Sequence, residues 1–187
     1  MKRLLITGAA GDIGSRLRVT MAGRYRLRLS DRRPITDLGA NEEFVAADLT
    51  DAGAVASLMG DVDAIVHLGG VSREAAWQPI LDANIVGTYN VFEAARTCGV
   101  PRVVFASSNH AVGFYPRAER IPVGVTVRPD SRYGVSKAFG EALGSLYADK
   151  YGLAVLCIRI GNVADAPVDV RRLSIWVSAR DLTRLVE

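Results

Sequence analysis

The chain has 187 residues, 49% of them hydrophobic, a length and composition that predict one globular domain rather than two. Its 23 basic and 20 acidic residues are interspersed and leave a net charge of +3, which argues against a nucleic-acid-binding arm or a membrane-binding face. No apolar stretch approaches the length of a membrane span, so we expect a soluble, cytoplasmic protein.

The two cysteines, Cys98 and Cys157, stand far apart and belong to no C-x-x-C or His/Cys cluster. Their spacing predicts neither a disulfide framework nor a zinc site, and no other metal site is indicated. We expect both to act as small apolar residues in a reducing compartment.

Short apolar runs alternate with longer segments of helical period along the chain. Several of the runs are continuous, which is typical of strands buried on both faces. Strands are predicted over residues 3–7, 25–30, 43–47, 64–68, 102–107 and 154–160. Helices are predicted over residues 12–23, 51–59, 77–98, 131–151 and 179–187, with an irregular stretch after residue 160. This order predicts an α/β fold, a single domain with a Rossmann-type doubly wound parallel sheet.

A glycine-rich turn, "TGAAGDIG", follows the first strand and opens the first helix. Its glycines, Gly8, Gly11 and Gly14, allow a tight turn that brings the backbone and the helix N-terminus close to a pyrophosphate. Alone, the triplet fits an ordinary strand-to-helix turn equally well. Asp31 ends the second strand about 20 residues on, where a carboxylate accepts hydrogen bonds from ribose hydroxyls and repels a 2′-phosphate. The combination favours NAD over NADP, with Arg32 and Arg33 interpreted as solvated turn residues.

The stretch "SRYGVSKAFGEAL" places Tyr133 and Lys137 one turn apart on the same face of a predicted helix. A neighbouring ammonium and a positive nicotinamide ring both favour the phenolate of a tyrosine, which then suits removal of a hydroxyl proton. An isolated pair of this kind is more often a surface pair. Combined with the glycine turn, Asp31 and Ser108, it indicates a catalytic site.

The fifth predicted strand ends in four polar residues, Ser107, Ser108, Asn109 and His110, within "FASSNHAVGFYP". Ligands of open parallel sheets bind beyond the carboxyl ends of the strands, so we expect these side chains to line a cavity. For Ser107 the alternative is packing behind the nicotinamide ribose. For His110 it is a neutral imidazole bonded to a loop carbonyl. His67 is interpreted as a structural hydrogen-bonding residue.

The chain resembles the extended short-chain dehydrogenases/reductases through TGAAGDIG, Asp31, Asp48, HLGG, Ser108 and YGVSK. More narrowly, HLGGVS, ASSNHAVGFYP, RPDSRYGVSK, RIGN and RRLSIW are similar to the uronate dehydrogenases of that superfamily, over essentially the whole chain. The resemblance implies oxidation of the anomeric carbon of a hexuronate, galacturonate or glucuronate, to an aldarolactone, with NAD as hydride acceptor. It also implies a homo-oligomer in which two long helices pair across a two-fold axis.

The resemblance assigns roles to individual residues. The catalytic residues are Tyr133 as base, Lys137 lowering its pKa, and Ser108 orienting the hydroxyl. The cofactor-binding residues are Gly8, Ala10, Gly11, Asp12, Ile13, Gly14, Asp31, Asp48, Leu49, Leu68, Gly69, Gly70, Asn84, Tyr133 and Lys137. The substrate-binding residues are Ser72, Ser108, Asn109, His110, Tyr133 and Arg171, with Arg171 clamping the carboxylate.

Three of these assignments have structural alternatives. Ser72 is either a substrate contact or a helix cap. Asn84 either belongs to a proton relay or simply faces another helix. Asp48 either contacts the adenine or caps a helix, although Asp51 is the better candidate for the cap.

Two features depart from the uronate dehydrogenases. Asn162 stands where relatives carry a small hydroxyl residue, and this chain ends earlier than they do. We therefore expect an NAD-binding domain at 1–160 that carries the catalytic residues, and an incomplete, truncated substrate-binding segment at 161–187. The early end also predicts an unpaired sheet edge and uncovered helix faces, which favour association.

Two alternative functions compete with uronate oxidation. A nucleotide-sugar epimerase or dehydratase of the same superfamily needs a C-terminal lobe for the nucleotide diphosphate, which these 187 residues do not contain. A truncated, non-catalytic dinucleotide-binding module has no use for Tyr133, Lys137 and Ser108.

Overall fold

The structure, a computed structural model, describes residues 1–187 and is built around one six-stranded sheet. The strands are β1 (Arg3–Thr7), β2 (Arg26–Ser30), β3 (Glu42–Phe44), β4 (Ala64–His67), β5 (Arg102–Ser108) and β6 (Ala154–Ile160). They run parallel in the order β3-β2-β1-β4-β5-β6. The order reverses direction between β1 and β4, which is where doubly wound folds bind their ligands.

Helices cover both faces of the sheet. They are α1 (Asp12–Met21), α2 (Ala52–Ser57), α3 (Trp77–Ile80), α4 (Gly87–Thr97), α5 (Arg132–Tyr151), α6 (Val170–Leu173) and α7 (Ala179–Val186). Helices α1 and α7 pack on one face, and α2, α4 and α5 on the other. None of the helices combines the length and hydropathy that crossing a membrane requires.

The alternation of side chains along β1 explains the two layers. Leu4 and Ile6 belong to one buried cluster, which includes Leu17 of α1, whereas Leu5 belongs to the other, which includes Phe92 of α4. Successive residues of a strand point to opposite faces, so an uninterrupted apolar run is buried only between two helical layers. The predicted doubly wound α/β fold is thereby confirmed, with strand bounds close to those expected.

The helix expected over residues 77–98 is interrupted. Between α3 and α4, residues Leu81–Val86 form a π-helical turn, a wider turn that often occurs at functional sites. Asn84 lies in this turn and is 2% exposed. The expectation of one regular helix was therefore wrong in its first half, where the side-chain bonds of Asn84 hold the backbone to a neighbouring loop.

The segment after β6 is more regular than expected. Residues Asn162–Val163 (β7) and Trp176–Val177 (β8) form a small parallel pair that flanks α6. Helix α7 then packs against α1, with Leu182 buried and the Thr183 and Thr20 hydroxyls 2.6 Å apart. The final helix thus shares the core of the preceding residues, and the assignment of 161–187 to substrate binding stays a prediction.

Candidate active site

The turn between β1 and α1 is packed backbone against backbone. Gly8 has a φ of +70°, and a Cβ placed on it would lie 2.7 Å from the amide nitrogen of Gly69. At Gly14, a Cβ would collide with the carbonyl oxygen of Gly8 and would lie 2.7 Å from the Cα of Ala9. Both positions therefore require glycine, because no side chain fits between the turn, α1 and the loop after β4.

Helix α1 presents unpaired donors at its N-terminus. Gly11 is its N-cap and supplies no side-chain cap, so the amide groups of the first turn are free to bind a ligand. Asp31, at the end of β2, accepts a hydrogen bond of 3.1 Å from the Ala10 amide and one of 3.0 Å from the Arg33 amide. A carboxylate has further lone pairs, so Asp31 can still accept from a ribose. This donor and acceptor set fits a dinucleotide.

The remaining residues predicted to bind cofactor on this side lie around the same turn. Asp12 is exposed and bonds to Arg16 at 3.1 Å, and Ile13 packs against the core beneath α1. The carbonyl of Ala10 accepts a 2.5 Å hydrogen bond from the guanidinium of Arg33, so both the amide and the carbonyl of Ala10 are bonded. The side chain of Arg33 remains 71% exposed, in agreement with its interpretation as a turn residue.

Helix capping and contact with the adenine were the two roles considered for Asp48 and Asp51. Asp48 accepts from the Thr50 amide at 2.9 Å and from its hydroxyl at 2.8 Å, and these bonds lower its pKa. Asp51 is the N-cap of α2 and accepts from the amides of Gly53 and Ala54, so the capping prediction is confirmed. Asp48 caps no helix, and its contact with the adenine stays a prediction.

The loop after β4 completes the cradle. Gly70 has a φ of +137°, and a Cβ there would lie 2.6 Å from Oδ1 of Asn84. At Gly69, an added Cβ would lie 2.5 Å from the Cδ1 of Leu49. Leu68 donates its amide to the Thr7 carbonyl at 3.2 Å, which ties the loop to the end of β1.

Asn84 fastens this loop to the helices. Its Oδ1 accepts from the Val71 amide at 2.7 Å, and its Nδ2 donates to the Val71 carbonyl at 2.9 Å and to Ser136 Oγ at 3.0 Å. Both ends of the amide are engaged within the protein. The side chain of Asn84 therefore positions the loop and faces α5 through Ser136, as the second alternative expected, and its part in a proton relay stays a prediction.

His67 is a buried structural residue, as predicted. Its two ring nitrogens lie 2.7 Å from Thr7 Oγ1 and 3.1 Å from Thr88 Oγ1, and the residue is 1% exposed. Burial, with a smaller effect of Lys137, lowers its pKa to about 3, so the imidazole stays neutral.

Tyr133, Lys137 and Ser108 meet where β5 ends against α5. The Nζ of Lys137 donates a 2.7 Å hydrogen bond to the Ala106 carbonyl of β5 and lies 5.5 Å from the centre of the Tyr133 ring. The side chain of Ser108 interacts with that of Tyr133 and lowers its pKa. The helical spacing of the tyrosine and lysine and the end of the strand together place the three predicted catalytic residues in one cluster.

The electrostatics of this cluster differ from the expectation. Burial raises the pKa of Tyr133, outweighing the opposite effect of Ser108, and lowers that of Lys137 to about 8. The lowering expected from Lys137 together with the nicotinamide charge stays a prediction, and in the protein by itself the pKa of the phenol is raised. The physical reason is desolvation, which disfavours the charged form of both groups, while the ammonium bonds to a carbonyl rather than to the phenol.

A second polar cluster lies behind the first, and the sequence analysis missed it. Ser107 donates a 2.5 Å hydrogen bond to Glu141 Oε1, and Arg159 of β6 binds the same carboxylate at 2.8 and 2.9 Å. Glu141 stands one turn after Lys137 on α5, so its spacing was visible in "YGVSKAFGE". The hydroxyl of Ser107 is thus engaged by a protein carboxylate, and its packing behind the nicotinamide ribose stays a prediction.

Asn109 and His110 form a short 3-10 turn after β5. Ser108 caps this turn by accepting from the His110 amide at 3.2 Å, and donates to Asn109 Oδ1 at 3.3 Å. The ring of His110 contacts no loop carbonyl. Its Nδ1 lies 2.8 Å from Oδ1 of Asp130, a partner that the sequence analysis did not identify.

Ser72 and Arg171 are not brought into contact with this cluster. Ser72 is exposed and caps no helix, because α3 begins at Trp77 with Ala76 as its N-cap. Arg171 is exposed on α6, and its guanidinium has no protein partner. Asn162, the first residue of β7, has a buried Oδ1 without a hydrogen-bond partner.

A groove of about 290 Å³ runs from Asn109 along β6 to the C-terminal segment. Its walls are mainly apolar and include Ile158, Ile160 and Leu182. The segment 174–177 also lines it, so residues beyond β6 do reach the end of the sheet that carries Asn109.

Comparison with known proteins agrees with this geometry. Residues 4–172 match the model of the NAD dependent epimerase/dehydratase family. A uronate dehydrogenase of Pseudomonas putida is 49% identical over 187 residues, which cover 99% of this chain and 70% of that protein.

Two solved structures are similar throughout the chain. A glucuronic acid dehydrogenase from Chromohalobacter salexigens superposes with a TM-score of 0.96 at 52% identity, over 99% of this chain and 70% of that one. A uronate dehydrogenase from Agrobacterium tumefaciens, a tyrosine-to-alanine mutant complexed with NAD, superposes with a TM-score of 0.96 at 49% identity, over 100% of this chain and 71% of that one.

The cofactor is therefore NAD, and the chain is an oxidoreductase that acts on CH–OH groups. The predicted roles of the glycine cradle, the acidic end of β2 and the cluster of Ser108, Tyr133 and Lys137 in such a reaction stay predictions. The chain belongs to the NAD-dependent epimerase/dehydratase family, the extended short-chain dehydrogenases/reductases.

Proposed function

We propose that the protein oxidises a hexuronate, galacturonate or glucuronate, at its anomeric carbon and forms an aldarolactone. The observation that carries the proposal is the cluster of Ser108, Tyr133 and Lys137 beside the glycine cradle, at the end of the sheet. The similar proteins named uronate or glucuronic acid dehydrogenase support the choice of substrate.

In this proposal, Tyr133 removes the proton of the anomeric hydroxyl, and Ser108 holds that hydroxyl by a hydrogen bond. NAD, when bound in the cradle, supplies the hydride acceptor and a positive charge that favours the phenolate. Lys137 adds a second positive charge one helical turn away and anchors α5 to β5 through the Ala106 carbonyl. The buried tyrosine gives up its proton only when both charges are present, because burial alone raises its pKa.

Binding of the sugar acid is assigned to residues at the same edge of the sheet. Asn109 and His110, in the turn after β5, supply hydrogen bonds to hydroxyl groups. Arg171 offers an unpaired guanidinium suited to a carboxylate, and Ser72 offers an exposed hydroxyl after the Gly69–Gly70 loop.

The substrate is tested by following NADH absorbance with a panel of hexuronates, the corresponding neutral sugars and a UDP-sugar. We expect turnover with galacturonate or glucuronate, and much less with the neutral sugars because they lack the carboxylate. NAD binding without turnover of any hexuronate would contradict the proposal and favour the non-catalytic alternative. Epimerisation of the UDP-sugar would favour the epimerase.

The base is tested by Tyr133→Phe, which removes the proton acceptor and leaves the ring. We expect kcat/KM to fall by about 10²- to 10⁴-fold, the usual contribution of general base catalysis, with NAD affinity little changed. Tyr25→Phe is the matched control, because Tyr25 bonds only to Glu187 near the opposite edge of the sheet. Equal activity of the two variants would exclude Tyr133 as the base.

Association of two copies is also part of the proposal. Apolar and aromatic side chains are exposed on the outer faces of α4 and α5, among them Tyr89 at 48%, Val135 at 42% and Leu146 at 49%. Burial of these side chains against a second copy removes apolar surface from water, which favours a two-fold dimer.

We place the enzyme in the cytoplasm. Cys98 and Cys157 are free thiols, and burial raises the pKa of Cys157 to about 11, so this thiol stays protonated and inert. Free thiols are what a reducing compartment maintains. Fractionation of cells that express the tagged chain tests the assignment.

A further inference from the structure

His110 is held by a carboxylate that no step of the proposed reaction uses. Its Nδ1 lies 2.8 Å from Oδ1 and 3.0 Å from Oδ2 of Asp130, twenty positions along the chain. A carboxylate only accepts hydrogen bonds, so Nδ1 must carry the proton. In the neutral imidazole, Nε2 is then the acceptor.

Asp130 is itself fixed from two sides. The Ser131 hydroxyl donates to Oδ1 of Asp130 at 2.9 Å, and the backbone amide of Asp130 donates to the His110 carbonyl at 3.3 Å. Gly113 makes room for it, because a Cβ on Gly113 would lie 2.9 Å from the Cβ of Asp130 and would collide with the carboxylate. Asp130, two positions before α5, is therefore held against the turn that follows β5.

The rest of His110 faces the catalytic cluster. Its ring packs edge-on against the ring of Tyr133, with the centres 5.7 Å apart and the planes at 72°. Its amide donates to Ser108 Oγ at 3.2 Å. The imidazole is 48% exposed, and no protein atom bonds to Nε2. In the neutral ring, Nε2 is thus a free acceptor on a residue that contacts both residues assigned to the reacting hydroxyl.

We infer that Asp130 is a positioning residue, which fixes the tautomer and orientation of His110 so that Nε2 accepts a hydrogen bond from a sugar hydroxyl. The inference rests on the proposed function for the identity of the ligand. The tautomer itself depends only on the protein. Without Asp130, the ring is free to rotate and to carry its proton on Nε2, where it would face a hydroxyl as a donor.

A double-mutant cycle tests whether Asp130 acts through His110. We expect Asp130→Ala to lower kcat/KM for the hexuronate by about tenfold or more, and to have little further effect, within about twofold, in a His110→Ala background. A fall of the same factor in both backgrounds would show that Asp130 acts by another route and would overturn the inference.

The control for a general loss of stability is Asp51→Ala. It removes another aspartate, whose hydrogen bonds are confined to the N-terminus of α2. Thermal unfolding of each variant measures this effect. We expect Asp51→Ala to lower the unfolding midpoint without a change in kcat/KM. A loss of kcat/KM in proportion to the midpoint in both aspartate variants would reduce Asp130 to a structural role.

The tautomer is measured directly by ¹⁵N NMR of the imidazoles, which is simple because the chain has two histidines. The signals of His110 are identified by their loss in His110→Ala. For the neutral form of the ring, we expect the proton on Nδ1 in the unaltered protein, and a shift towards the Nε2-protonated form in Asp130→Ala. A dominant Nε2-protonated form in the unaltered protein would overturn the inference even if every hexuronate is a substrate. Inactivity with all hexuronates would instead refute the proposed function and leave the tautomer result standing.

Discussion

Tyr133 and Lys137 show how burial acts on two groups of opposite charge type. Desolvation disfavours the phenolate and the ammonium alike, so it raises the pKa of Tyr133 and lowers that of Lys137 to about 8. Lys137 is only 6% exposed, and its charge is compensated by the carbonyl of Ala106 rather than by an acid. A charged group in such surroundings destabilises the fold while it serves the reaction.

Replacing Lys137 with methionine should therefore separate stability from activity. A fall in pKa from 10.5 to about 8 corresponds to roughly 3 kcal/mol, offset by about 1 kcal/mol for the lost bond to Ala106. We expect Lys137→Met to unfold at an equal or higher denaturant concentration at pH 7, and to lose most of its turnover.

The difference in stability between the unaltered protein and Lys137→Met should depend on pH. Below pH 8, Lys137 is protonated in both the folded and the unfolded chain, so the full cost of burying its charge applies. Between pH 8 and 10.5 the unfolded chain binds more protons, and the stability of the unaltered protein rises relative to the variant. Guanidinium unfolding of both proteins at pH 7 and pH 10 measures the difference, and a difference independent of pH would contradict the assigned pKa.

At the scale of elements, the cofactor cradle is made by two turns that touch through their backbones. The turn after β1 and the loop after β4 meet at Gly8 and Gly69, and Asn84 of the π-helical turn holds the second loop in place. A side chain at either contact would push the two turns apart, so the cradle depends on the absence of a Cβ at these glycines.

Two glycine substitutions test this packing. Gly14→Ala puts a methyl group against the backbone of Gly8 and Ala9, whereas Gly60→Ala adds one in open space at a turn without positive φ. We expect Gly14→Ala to lower the affinity for NAD by at least about tenfold and the stability by about 1–3 kcal/mol. Gly60→Ala should change neither quantity appreciably. Calorimetric titration with NAD and thermal unfolding supply the measurements, and normal NAD binding by Gly14→Ala would refute the close-packed cradle.

For the whole molecule, two surfaces compete to bring copies together. One is the α4–α5 face with Leu146, and the other is the edge strand β6, which has no partner on its outer side and leaves Leu156 46% exposed. Strand edges of this kind favour association as well.

Light scattering after size exclusion distinguishes the two surfaces. We expect a dimer that Leu146→Asp dissociates, because an aspartate there buries a charge at the proposed interface. Val19→Asp is the control, since Val19 is 75% exposed on α1, away from both surfaces. Dissociation by Leu156→Lys instead would assign the interface to β6. A monomeric unaltered chain would exclude both.

The predictions that succeeded were those with a local signal. Continuous apolar runs located the strands, Asp51 sits where a cap is expected, and the spacing of Gly8, Gly11 and Gly14 predicted the tight turn between β1 and α1. The residues missed, among them Asp130 and Glu141, act on partners far along the chain. Nothing in one sequence pairs Glu141 with Arg159 or Asp130 with His110, because the pairing exists only after β5, β6 and α5 have packed.

The sequence by itself determined the layered architecture and, through its motifs, the cofactor class, since periodicity and motif spacing are properties of the chain; the reacting groups that it indicates stay a prediction. The tertiary structure decided the pKa shifts of these groups and the hydrogen bonds that hold the surrounding loops in place. The pKa of Tyr133 follows from how deeply α5 buries it, and the π-helical turn from the bonds of Asn84 to Val71 and Ser136. Burial and long-range hydrogen bonds are collective quantities, so no residue type or spacing encodes them by itself.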